Sequence, residues 1–110
     1  MQRFEEGELE PMPAKIRRTH GNVFADLGFS AAEAENLKVR ADLMNRLTKV
    51  IESRQLTQAR AARVFGVSQP RVSDLARGKI GRFSVDTLIE MLGHAGIEVS
   101  ISTRARRQVA

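Results

Sequence analysis

Residues 56–78 read LTQARAARVFGVSQPRVSDLARG, from Leu56 to Gly78. Two short helical patterns meet at the tight turn Gly66-Val67-Ser68. Thr57 caps the first, which turns Ala61, Ala62, Val64 and Phe65 inward. Gly66 ends it, since glycine takes the positive φ of a left-handed helix cap without strain. Ser68 caps the second pattern. Pro70 falls at its second helical position, where the missing N–H has no partner to lose. Val72, Leu75 and Ala76 are expected on its buried side, and Gly78 closes it. This is the layout of a helix-turn-helix, whose second helix enters the DNA major groove.

With Val72 and Leu75 buried, the second helix presents Gln69, Pro70, Arg71, Ser73 and Asp74. Glutamine pairs bidentately with adenine and arginine with guanine. An aspartate accepts from cytosine or orients Arg71, and Pro70 touches a thymine methyl or stiffens the helix start. Gln69, Pro70, Arg71 and Asp74 are therefore the expected base-contacting set. Gln58, Ser68, Ser73, Arg77, Lys79 and Arg82 are the expected phosphate contacts, at helix starts and along the following loop.

Outside this stretch, Ser30-Ala31-Ala32-Glu33 has the form of a capping box and opens a long helix to about Arg54. Leu37, Ala41, Met44, Leu47 and Ile51 make its apolar stripe, widened by Leu43 and Val50. Asn22 to Gly28 reads as one short turn, with Val23, Phe24 and Leu27 docking on the body. Lys79 to Phe83 is a basic loop. Ser84 caps a further helix carrying Val85, Leu88, Ile89 and Leu92, ended by Gly93 and Gly96. Ile97, Val99 and Ile101 then alternate with Glu98, Ser100 and Ser102, a period-two strand. A lone strand needs a partner: the same strand of a second copy across a two-fold axis, or Val23–Leu27 of its own chain.

The expected organisation is a flexible tail over residues 1–21, one domain over 22–102 and a basic tail over 103–110. The fold class is mainly α, a bundle of about five helices with one C-terminal β-strand.

Charge is unevenly placed. The 110 residues carry a net +5, yet residues 1–13 sum to −3 and residues 54–82 to +6. Local density of Lys and Arg is what phosphate contacts require. The absence of cysteine removes disulfide, thiolate–zinc and thiol chemistry. His20 and His94 have no ligand cluster at metal spacing, and no nucleophile elbow or phosphate loop is present, so neither catalysis, metal nor cofactor is expected. No apolar run reaches the ~20 residues of a membrane span, and the expected location is the cytoplasm.

The pattern LTQ…AA…GVSQPRVSDL..GK resembles the Xre/Cro family of lambda-repressor-like domains. The resemblance implies a bundle of about five helices, Gln58 on a phosphate, and Gln69, Pro70, Arg71 and Asp74 facing bases. The segments NVFADLGFS, AENLKVRADLMNRL and GKIGRFSVDTLIEMLGHAGIEVSI are similar to HigA-like antitoxins, whose genes often lie beside a RelE-type toxin. Arg60-Ala61 stands where an acidic-apolar pair is common, so the first helix is more basic than usual. The expectation is a homodimeric, sequence-specific regulator on a near-palindromic double-stranded operator, an autorepressor and type II antitoxin with a RelE-type partner. The alternative is a protein-interaction module that neutralises a partner without specific DNA binding. An RNA-binding reading on the same basic face is weakened by an aromatic content of only 5%.

Ala62 offers only a methyl where the two helices of the motif cross. Ala62→Leu is expected to lower stability by ~1–3 kcal/mol through overpacking, measured by denaturant unfolding; unchanged stability would put the crossing elsewhere.

Overall fold

The computed structural model describes residues 22–105. Five α-helices lie among them: α1 (Val23–Asp26), α2 (Ala31–Arg54), α3 (Gln58–Phe65), α4 (Gln69–Ala76) and α5 (Val85–His94), with a 3-10 turn at Ile80–Arg82. Local chemistry sets their boundaries. Side-chain oxygens of Asn22, Thr57, Ser68 and Ser84 accept a backbone N–H from the first turn of α1, α3, α4 and α5. At α2, Ser30 and Glu33 form the reciprocal capping box, Oγ accepting from the Glu33 amide at 3.2 Å while the Glu33 carboxylate accepts from the Ser30 amide at 3.3 Å.

The chain clusters into two units, Met1–Val39 and Arg40–Ala110. In the described part of the first, the Asn22 amide reaches the Ala34 carbonyl at 2.9 Å. Phe24 and Phe29 meet edge to face, 6.2 Å between centroids. Val23 and Leu27 do not dock as expected; they are 54% and 69% exposed. A one-turn helix has room for one inward face, and Phe24 occupies it.

In the second unit a single core gathers Met44, Leu47 and Val50 of α2, Ala61, Ala62 and Phe65 of α3, Val72 and Leu75 of α4, Phe83, and Leu88, Met91, Leu92 and Ala95 of α5. Leu43, Ile51, Leu56, Val64, Val67, Ile80, Ile97 and Val99 pack around it. No polar or charged side chain is buried among the described residues. The Arg54 guanidinium donates to the Ala95 carbonyl at 3.1 Å, tying the end of α2 to the end of α5.

Three expectations are corrected. Ala76, placed on the buried side of α4, is exposed, because at the last helical residue α4 has already turned past the core. Gly93 does not end α5, which runs through it to His94; Gly96, at φ 82°, lies just beyond the end. No strand occurs among the described residues, so the C-terminal β-strand over Ile97–Ser102 is not formed. Alternation alone does not make a strand: the backbone needs a neighbouring strand for its hydrogen bonds. Ile97 and Val99 instead pack on the helical core, and Ile101 is 71% exposed. The expected tail over 1–21 and the last residues, 106–110, lie outside the described residues.

The helices also stop alike. After α2, the Leu56 amide donates to the Ile51 carbonyl at 3.0 Å, and Val67 and Lys79 repeat this with Ala62 and Asp74. The residue just before the donor takes positive φ: Gln55, Gly66 and Gly78. At α2 it is Gln55, at φ 54°, the one non-glycine so placed among the described residues. Gln55→Gly is expected to stabilise the protein by about 1 kcal/mol by relieving left-handed strain, read from the denaturant midpoint; a loss would mean that Gln55 makes a compensating contact.

Candidate nucleic-acid interface

The turn between α3 and α4 fixes where α4 points. Gly66 sits at φ 70°, and its N–H closes on the Arg63 carbonyl. A Cβ built there would lie 3.1–3.3 Å from the His94 ring at the end of α5. Glycine is thus needed twice, for its conformation and for the approach of an aromatic ring. Past the turn, Ser68 accepts from the Arg71 amide at 3.3 Å, and Val72 and Leu75, 1% and 2% exposed, seat α4 on the core.

That seating sorts the expected base-contacting set. Gln69 and Pro70 are exposed. Arg71 and Asp74 are half-buried and turned toward the loop that follows. Arg71 Nη1 donates to the Arg82 carbonyl at 2.6 Å, and its guanidinium lies 5.3 Å from the centre of the Phe83 ring. Asp74 pairs with Arg82 at 3.5 Å rather than with Arg71. A cation over a ring is worth about 1 kcal/mol, and a charged hydrogen bond about 1.5–3. A bidentate base contact returns ~1–3 kcal/mol. Contact with a base would exchange these loop interactions for one of similar size.

Of the expected phosphate contacts, Gln58, Ser68, Arg77, Lys79 and Arg82 are exposed and Ser73 is half-buried. Arg60 and Arg63 add exposed cations on α3.

The loop after α4 is more ordered than a basic linker. Phe83 is 1% exposed and belongs to the core. Arg40 of α2 donates to the carbonyls of Ile80 and Phe83 at 3.1 and 3.3 Å. Two arginines, Arg40 and Arg71, thus hold three carbonyls of one short turn, and Lys79 and Arg82 are left outward. Sequence reasoning missed Phe83, Ile80 and Arg40. A signal for Phe83 was present: it precedes the Ser84 cap and lies five residues before Leu88, the spacing of a hydrophobic staple. Nothing local marks Arg40, forty residues from Ile80 in sequence.

No helix is long and apolar enough to cross a membrane, and no His, Asp or Glu cluster suited to a metal occurs among the described residues. A family model described as a helix-turn-helix domain matches residues 23–104. A solved structure provisionally described as an XRE-family transcriptional regulator superposes with a TM-score of 0.65 at 34% identity, covering 71% of this chain and 91% of that one. No curated protein matches.

Proposed function

Because this chain belongs to the helix-turn-helix domain family, we propose that it is a sequence-specific, double-stranded-DNA-binding transcriptional regulator. The observation that carries this is the state of α4. Its apolar side is sealed into the core while Gln69 and Pro70 at its start are exposed, as are Arg77, Lys79 and Arg82 at its end and on the loop that follows. Affinity then comes chiefly from the cations and sequence choice from the helix start. The likeness to a structure described as an XRE-family regulator supports the same reading.

The finer reading is an autorepressor acting as a homodimer on a near-palindrome, with recognition helices about 34 Å apart. The exposed Ile101 offers a second copy apolar surface. The role of type II antitoxin rests on the resemblance of the flanking segments to HigA-like proteins. Val23, Leu27 and Phe29, exposed together in the first unit, suit a protein partner such as a RelE-type toxin.

The purified protein is tested against its own upstream DNA and a scrambled duplex at two salt concentrations. A preference of ~10³-fold or more supports a specific regulator; weak and equal binding shifts the case to a protein partner. Gln69→Ala is expected to cost ~1–3 kcal/mol on the preferred site and to relax one base position, whereas an equal loss on random DNA removes its reading role. Lys79→Ala is expected to weaken all duplexes alike and to flatten the log–log salt slope by about one unit. An unchanged slope removes the phosphate contact.

A further inference from the structure

Arg82 was expected on a phosphate and Asp74 on a base or orienting Arg71; in the structure the two side chains meet each other. Arg82 stands on a turn whose backbone is held by Arg40 and Arg71 and anchored by buried Phe83. Its Cα is therefore fixed relative to α4. Its side chain is 60% exposed and brings Nη1 to 3.5 Å from Asp74 Oδ2, on a carboxylate only 18% exposed. Asp74 lies one turn beyond Pro70, on the same side of α4. At 3.5 Å and with Arg82 largely in solvent, the pair is a weak contributor to stability.

At a DNA surface an unpaired carboxylate is repelled by phosphates, and pairing with Arg82 removes that cost. The contact engages one edge of a guanidinium that has five N–H donors. The remaining donors can face O6 and N7 of a guanine. We propose that Arg82 is a base-reading residue for guanine and that Asp74 is the positioning residue that aims it. The inference rests on the DNA-reading assignment above.

The test is selection from a randomised duplex library with the full chain, followed by affinity measurements on the enriched site. The wild-type site is expected to contain a guanine position for which Arg82→Ala loses preference by about tenfold or more. Arg82→Lys keeps the charge but not the fork; it is expected to lose the same preference while the salt slope stays unchanged. Asp74→Asn is expected to weaken preference at that same position and at no other, and to add nothing in the Arg82→Ala background. Thermal melting of each variant checks that these exposed changes leave the fold intact. A uniform loss with Arg82→Ala that Arg82→Lys restores makes Arg82 a phosphate contact and overturns the proposal. A change with Asp74→Asn at a different base pair makes Asp74 a reader itself and also overturns it. A wild-type protein that enriches no site overturns the DNA-reading assignment and this inference with it.

Discussion

At Gly66 the chain reverses through positive φ beside the His94 ring, where a β-carbon would make tight contacts of 3.1–3.3 Å. A substitution there meets two penalties of different origin. Left-handed backbone costs any L-residue about 1–2 kcal/mol, and the ring must give by a few tenths of an ångström. The angle of α4 follows from this one turn, and so does the exposure of Gln69 and Pro70. The contact also makes α5 part of the turn, although α5 lies outside the two-helix motif. The motif is held from above as well as from its own core.

Electrostatics have almost no part in that core. With no charged side chain buried among the described residues, the core itself holds no ion whose desolvation must be offset. Apolar packing and helix caps hold the second unit together. The cations of 54–82 are then free to act outward, where their influence reaches about 8–10 Å at physiological salt. Two exceptions are instructive: Arg54 and Arg71, like Arg40 outside this stretch, direct guanidinium donors to backbone carbonyls at a helix end and in the loop. Arginine content alone therefore overstates the surface available to phosphate.

Helix boundaries were legible because caps are local. Ser30 with Glu33, Thr57, Ser68 and Ser84 each declare themselves within a few residues, and each caps a helix. The two-helix motif was legible for the same reason, as were Val72 and Leu75 as anchors. What was not legible depended on distant partners. The alternation over Ile97–Ser102 satisfies a strand pattern, but no neighbouring strand exists in the described chain to pair with it. Arg71 has the chemistry of a guanine reader, yet eleven residues downstream a carbonyl and a ring engage it. Lys79–Phe83 looked like a linker because its charges are visible in sequence and its carbonyl partners are not.

The ties between α4 and its loop bear on how such a domain changes its preferred DNA. Gln69 and Pro70 are exposed at the start of α4, so substitutions there that keep the helix start can drift one at a time. Arg71, Asp74, Arg82 and Phe83 form a mutually dependent set, in which altering one member strands another. Natural variants should show these four positions covarying, and a grafted α4 would arrive in a foreign scaffold without half of its working surface. In the proposed DNA-reading role, the unit of inheritance for specificity is the helix together with its loop.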